Sequence, residues 1–240
     1  CLKNIYEYFN KGKDLYAALG YIRRGDSEML RSLIVSFLKE GSLKGVLVRN
    51  IEDLEFFKRL KSEGLNFEIA GDYGLYCWND SSIRQFSADC DTLGLPLELS
   101  SKVQNALAES NSDVNFEKMV YGRYPLMQSA NCIYKTGLNC KKKAPEKLHF
   151  TYLKDRTERK IPVLADCARC HNTLYNSVPL SLYKFMADDR DNLSYRLDFT
   201  DESREETLKV LKFYKEIIGD KSAVNPSWEY TTGFEKKSCE

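Results

Sequence analysis

Short β-type runs alternate with helical patterns along this chain, and this alternation limits its fold more than any other feature. LKGVLV (43–48) predicts a strand, and IEDLEFFKRLKSEG (51–64) repeats apolar residues at helical spacing until Gly64. Such βα units predict a (β/α) barrel of the TIM type, although an open, doubly wound parallel sheet has the same alternation. The further elements are predicted as a strand and loop in 66–79, a helix in 81–90, strands in 92–99, 116–122 and 194–199, and a helix in 202–218.

Composition and motifs exclude several classes of protein. With 240 residues and 42% hydrophobic content, the chain can bury a sizeable core, and we expect one barrel domain over 1–240. No apolar run is long enough to span a membrane and no secretory signal is recognisable, so we expect a cytoplasmic protein without a membrane partner. The sequence has no G-x-G-x-x-G and no P-loop, which leaves no signature for a dinucleotide or a nucleoside triphosphate.

A stretch of about seventy residues, 123–193, interrupts the alternation between two predicted strands. We expect an irregular excursion with little helix or strand of its own, and long excursions of this kind are usually functional. It contains both histidines, His149 and His171, and four of the eight cysteines in a C-x7-C-x26-C-x2-C spacing. In a reducing cytosol, clustered cysteines are more often metal ligands than disulfides. The spacing therefore predicts a metal site at Cys132, Cys140, Cys167 and Cys170.

The C-A-R-C-H sequence of residues 167–171 fits three kinds of site. A covalent haem would use both cysteines and His171, but it ordinarily requires export and leaves Cys132 and Cys140 without a role. A structural zinc ion with four cysteine ligands and an iron-sulfur cluster satisfy the spacing equally well. The residues alone leave these two open.

One segment of the chain is strongly basic, although the net charge is only +1. Residues 135–160 contain nine Lys or Arg against three acidic residues, and Lys141, Lys142 and Lys143 are consecutive. A concentrated basic segment can contact RNA phosphates, whereas a solvated surface loop can have the same composition. We therefore treat these three lysines as a candidate RNA contact with a plain surface loop as the alternative.

Several blocks of the sequence resemble the bacterial peptidase U32 family, also called collagenase-like proteases. The YGRYPLM, C-x-x-C and YNS motifs are specific in combination, and the resemblance covers about residues 15–235. The blocks are YGRYPLMQSANC (121–132), LKDRTERKIPV (153–163), CARCHNTLYNSVPLSL (167–182) and RLDFTDES (196–203), with AGDYGLYCWN and LPLELS upstream in the same order.

The resemblance implies a barrel whose late strands carry a [4Fe-4S] cluster on the four cysteines, with zinc as the alternative. Family members are similar to oxygen-independent hydroxylases that act on tRNA, ribosomal RNA or ubiquinone precursors, with prephenate as the hydroxyl source in the RNA branch. For this chain it implies an RNA hydroxylase with a prephenate-like donor. The alternatives are a collagenase-like peptidase, for which G-x-S-x-G and H-E-x-x-H are lacking, and a non-enzymatic zinc-stabilised barrel.

Two departures from the family pattern affect these expectations. The strands that relatives have before residue 15 are not recognisable and the chain starts on Cys1, so we expect an N-terminally truncated barrel. At the other end, TTGFEKKSCE (231–240) stands where relatives tend to have Thr-Thr-Gly-His-Phe. Any role of that histidine does not carry over to this chain.

Three charged residues are candidate catalytic groups, because catalytic groups of such barrels lie at the carboxyl ends of the strands. Glu98 ends a predicted strand and could act as a general acid or base, or bond a neighbouring loop. Arg123 could clamp the carboxylate of a prephenate-like donor through its planar fork, or pair with a structural acid. Arg196 shares a strand face with Asp198, and that pair could be catalytic or structural.

Three further residues are candidate substrate contacts. Asn79 follows a predicted strand, His171 adjoins the C-x-x-C motif, and Asn176 belongs to the YNS block. For an Asn-Ser pair, a turn or a cap is the commoner role, and we keep that structural alternative.

Overall fold

A computed structural model of the chain describes residues 12–23, 27–140, 148–186, 190–220 and 225–235. The chain packs as two compact units, of which the first comprises residues 1–118, 188–195 and 234–240 and the second 119–187 and 196–233. Within the described ranges, no helix has the length and apolar character that a membrane span requires.

The first unit is built on parallel strands that run side by side in chain order. They form a curled sheet, a half-barrel, which is compatible with a partial barrel and makes this a mixed α/β protein. Every strand is short, and each pairs with its neighbour over only a few residues. The strands are β1 (Tyr16–Ala18), β2 (Gly45–Val48), β3 (Glu68–Gly71), β4 (Thr92–Gly94) and the first residues of β5 (Phe116–Gly122).

Helices cover one face of this sheet. The core between them contains Val46, Ile69 and Leu93 from the strands and Phe57 and Ile83 from the helices, all fully buried. Burial of each such side chain contributes roughly 1.5–3 kcal/mol. The helices are α1 (Ser27–Lys39), α2 (Ile51–Ser62), α3 (Asp80–Ser87) and α4 (Ser101–Ser110), with a 3₁₀ turn at Tyr73–Leu75.

The second unit contains a four-stranded antiparallel sheet in the order β6-β9-β8-β7. The expectation of an irregular excursion over 123–193 is therefore wrong. The hairpin between β7 and β8 closes on Asp155, whose Oδ1 accepts from the backbone N–H groups of Thr157 at 2.7 Å and Arg159 at 3.0 Å. β7 is half-buried or exposed along its whole length, and the sheet depends on pairing between separate segments, which leaves little local signal. The elements are β6 (Pro125–Ser129), α5 (Ile133–Leu138), β7 (Leu148–Lys154), β8 (Lys160–Asp166) and β9 (His171–Tyr175).

The remainder of the second unit surrounds the end of β5. The short β10 (Leu180–Ser181) pairs antiparallel with Tyr121 and Gly122, and β11 (Leu193–Asp198) also pairs with β5. Gly122 has a φ of 142°, and a Cβ there would meet the carbonyl oxygen of Asp198. A glycine is therefore required for β11 to lie so close. The amphipathic α6 (Arg204–Asp220) completes the unit.

Candidate metal centre

Cys132 and Cys140 lie at the two ends of α5. Cys132 precedes the first helical residue, and its carbonyl oxygen accepts from Thr136 N at 3.0 Å. Asn139 ends the helix in the left-handed conformation, with a φ of 48°, and Cys140 N donates to Tyr134 O at 3.1 Å. Because Asn tolerates this conformation, the chain reverses directly after the helix and carries Cys140 back along it.

Cys167 and Cys170 lie in the turn that joins β8 to β9. Asp166 pairs with His171 across this turn, and its Oδ1 accepts from Arg169 N at 3.1 Å. Cys170 itself adopts a left-handed conformation, with a φ of 50°. A cysteine in that region is strained, and such strain is concentrated at functional sites.

Two contacts bring the cysteine pairs to the same end of the sheet. Ser129 of β6 pairs with Asn172 of β9, and Asn172 Nδ2 donates to the carbonyl oxygen of Asn131 at 3.0 Å. Asn131 directly precedes Cys132, whereas Asn172 is two residues after Cys170, so the helix start and the turn are neighbours. Helix α5 is also fixed to β7, because the hydroxyl of Tyr134 and Nε2 of His149 are 2.7 Å apart.

Cys167 is influenced electrostatically by the other three thiols. The pKa of Cys167 is raised, first by burial and then by the negative charge of Cys132, Cys140 and Cys170. Each described cysteine is a free thiol rather than half of a disulfide. Since thiolates gathered in this way repel one another, a bound cation would stabilise their ionised form.

The four thiols suit the zinc ion or iron-sulfur cluster that the spacing predicts, although they are not arranged around a common metal position. Four thiols are the ligands that both an iron-sulfur cluster and a structural zinc ion prefer. Within the part of the chain that the structure describes, no group of three or more His, Cys, Asp or Glu side chains is arranged to hold a metal ion.

Two of the predicted site residues belong to the first unit. Asn79 is the N-cap of α3, where its Oδ1 accepts from Ser82 N at 3.0 Å and the Ser82 hydroxyl returns the contact as a capping box. Asn79 therefore has a structural role as a helix cap. Glu98 lies in the turn after β4, and its buried Oε2 has no hydrogen-bond partner among the described residues. Its role as an acid or base stays a prediction.

Arg123 lies directly after β5 and is held on two sides. Its Nε donates to Asp201 Oδ1 at 2.7 Å, and its Nη1 donates to the carbonyl oxygens of Asn176 at 3.1 Å and Ser177 at 2.6 Å. The guanidinium thus joins the loops after β5, β9 and β11. An acid partner was one of the two alternatives for this residue, and Asp201 is that partner.

The other predicted residues occupy separate positions in the second unit. Arg196 Nε lies 3.0 Å from Asp198 Oδ1, so the two residues of β11 form an ion pair on one face. His171 begins β9 beside the cysteine turn. Lys141, Lys142 and Lys143 lie outside the described residues.

Several residues of this unit could not have been selected from the sequence. Asp201 meets Arg123, and Tyr152 meets Asp201, only through tertiary contacts, and Tyr134 reaches His149 in the same way. The sole sequence signal was their membership of the RLDFTDES and cysteine-rich blocks.

No family model matches the chain, and neither the curated proteins nor the solved structures give a significant match. The family resemblance therefore rests on the sequence blocks alone and stays a prediction.

Proposed function

We propose that Cys132, Cys140, Cys167 and Cys170 hold a [4Fe-4S] cluster in an enzyme of the peptidase U32 type. The observation that carries this proposal is that the elements bearing four free thiols meet at one end of the β6–β9 sheet. The proposal includes a complete (β/α) TIM-type barrel, of which the half-barrel would be part, and a cytoplasmic location.

Two elements support the ligand positions, a helix and a turn. Cys132 and Cys140 depend on α5, which the Tyr134–His149 contact holds against β7. Cys167 depends on the tight turn after Asp166. A bound cluster supplies one-electron redox chemistry, and the protein contributes its thiolates and the hydrogen bonds around them.

The activity we propose is oxygen-independent hydroxylation of tRNA or ribosomal RNA with a prephenate-like carboxylate as donor. Arg123 supports this choice, because a guanidinium is suited to a carboxylate, and it belongs to the same unit as the four cysteines. RNA would be guided by Lys141, Lys142 and Lys143. Glu98 and Arg196 would act as catalytic groups, with Asn79, His171 and Asn176 as substrate contacts.

The test is a comparison of RNA nucleosides by mass spectrometry. Cells that lack the gene are complemented with the natural protein, with Cys167→Ala, or with Cys77→Ala as a control for loss of a buried thiol in the first unit. We expect one hydroxylated nucleoside to return with the natural protein and with Cys77→Ala, and not with Cys167→Ala.

The competing activity, peptide hydrolysis, gives the opposite pattern. If no nucleoside changes in any strain, and cluster-free protein cleaves gelatin as fast as cluster-containing protein, the hydroxylase proposal is wrong. In that case the cysteines serve a structural zinc ion or another structural role.

A further inference from the structure

Strand β7 is an open edge of the four-stranded sheet. It pairs with β8 along its whole length, and no other strand in the described ranges pairs with it. The hairpin bond from Asp155 N to the carbonyl oxygen of Arg159, at 3.1 Å, shows which backbone groups point towards β8. Because this direction alternates along an antiparallel strand, the N–H and C=O groups that point away from β8 are those of Leu148, Phe150, Tyr152 and Lys154. Such a row of backbone groups is a template for one more strand.

The opposite edge of the sheet is protected in a way that β7 is not. Strand β6 contains Pro125, and its register shifts between Pro125 and Met127. A proline and a bulge are two devices that keep an edge strand from pairing with another chain. β7 has neither, and on one of its faces Leu148 and Tyr152 are 63% and 48% exposed. This edge therefore offers both hydrogen bonds and apolar contact, which suits an extended peptide segment.

The hairpin that follows β7 has a positive charge to offer such a segment. Residues 154–160 contain four Lys or Arg against two acids, and both acids are already used. Asp155 accepts from backbone N–H groups of the hairpin, and Glu158 pairs with Lys154 at 2.6 Å. Arg156 and Arg159 are exposed, and neither forms an ion pair with a described residue. Two cations beside an apolar edge are complementary to a segment that carries carboxylates.

The same charges oppose a second copy of this chain as the occupant. Two β7 strands related by a two-fold axis would pair antiparallel, so each hairpin would meet the start of the other β7. The residues that precede β7 in the sequence, 141–147, comprise four lysines, one acid and two uncharged residues. Like charges would then face one another, which disfavours the pair. The charge pattern therefore selects an acidic partner.

We propose that β7 binds an extended, acidic segment of a partner protein as a fifth strand of its sheet. The backbone of the segment pairs with the outward-facing groups of β7. Its apolar side chains contact Leu148 and Tyr152, and its carboxylates lie beside Arg156 and Arg159. The inference is independent of the proposed function, because it uses neither the four cysteines nor Arg123.

Hydrogen exchange of the anaerobically purified full chain, resolved to single amides by mass spectrometry, tests the pairing. The probe is an acetylated and amidated peptide of three Val-Thr repeats followed by three glutamates, which favours an extended chain. At saturation, the amides of Phe150 and Tyr152 should exchange at least about tenfold more slowly. Those of Thr151 and Leu153 point towards β8 and should change less than about threefold. A nucleic acid would use the same cations without producing this alternation.

Peptide affinity, measured by fluorescence anisotropy, tests the role of the hairpin charges. Changing Arg156 and Arg159 to Glu should weaken binding of the glutamate peptide about tenfold, and it should strengthen binding of a peptide with three lysines instead. The matched control changes Lys39 and Lys102, two exposed lysines of the first unit, to Glu. This control alters the net charge equally and should change either affinity less than about threefold. Thermal melting of each variant checks that it is folded.

Several results overturn the inference. These are no binding of the glutamate peptide to the folded protein, unchanged exchange of Phe150 and Tyr152 at saturation, and equal effects of the hairpin variant and its control. Protection of β7 that rises with protein concentration alone, together with a dimer mass in sedimentation, would make a second copy the occupant. If a ten-nucleotide oligouridine binds through Arg156 and Arg159 while neither peptide binds, the hairpin is a nucleic-acid surface and the peptide site is wrong.

Discussion

Replacing Gly122 with alanine should destabilise the second unit and separate Arg123 from Asp201. Gly122 has a φ of 142°, where an L-residue is strained by about 1–3 kcal/mol. The new Cβ would also lie 2.7 Å from Asp198 Cβ and 2.7 Å from Met119 Cε, and it would meet the Asp198 carbonyl oxygen. The methionine can move, but the backbone of β11 cannot move without losing its pairing, and such overpacking costs about 1–3 kcal/mol more.

The matched control is Gly64→Ala. Gly64 also has a positive φ, 99°, but a Cβ there meets nothing within 4 Å. It should therefore show the conformational cost alone, about 1–3 kcal/mol. The difference between the two variants isolates the close approach of β5 and β11.

Hydrogen exchange with mass spectrometry is the assay, because it resolves opening of each unit by itself. We expect peptides from 119–125 and 196–203 to exchange faster in Gly122→Ala, whereas Gly64→Ala affects only peptides around its own turn. If Gly122→Ala costs no more than Gly64→Ala, or exchange at 196–203 is unchanged, the close approach does not hold Asp201 in place.

Three smaller predictions follow from single contacts. Asn79→Ala removes the cap of α3 and should lower the free energy of unfolding of the first unit by about 1 kcal/mol, as measured by urea titration, without changing bound iron. The pKa of Glu206 is lowered by hydrogen bonds from the backbone and then the side chain of Ser203. The natural protein should therefore be more stable than Glu206→Gln above about pH 4.3, and this difference should disappear as the pH falls through the lower folded pKa. Melting curves at several pH values measure it. Changing Lys141, Lys142 and Lys143 to Glu should weaken RNA binding and flatten its salt dependence in filter-binding titrations. Unchanged binding would make this segment a solvated loop.

Several regular elements of the first unit could be predicted from the sequence, whereas β1, α1 and α4 were not expected. The helix expected in 51–64 is α2, Ile51–Ser62, and the strand expected in 116–122 is β5. Both have local signals, because Asn50 caps the helix and the strand contains the apolar run Met119–Tyr121. The strand expected in 92–99 is shorter, since β4 ends at Gly94. Pro96 lies just beyond it, and a proline cannot donate to a sheet.

The architecture of the cysteine-bearing part could not be predicted in the same way. Its sheet depends on pairing between β6 and β9, which are separated by more than forty residues, and pairing over such distances leaves little local trace. The four cysteines were recognisable by spacing. The acid partner of Arg123 was not, because Asp201 reaches it only after the loops have assembled.

The most direct measurement of the central claim is the metal and sulfide content of the anaerobically purified full chain. The account predicts a brown protein with about four iron and four acid-labile sulfide atoms per chain. Cys77→Ala should keep this content, because its thiol lies buried in the first unit, whereas Cys167→Ala should lose it. A colourless protein with stoichiometric zinc, which takes up no iron when reconstituted without oxygen, would contradict the account.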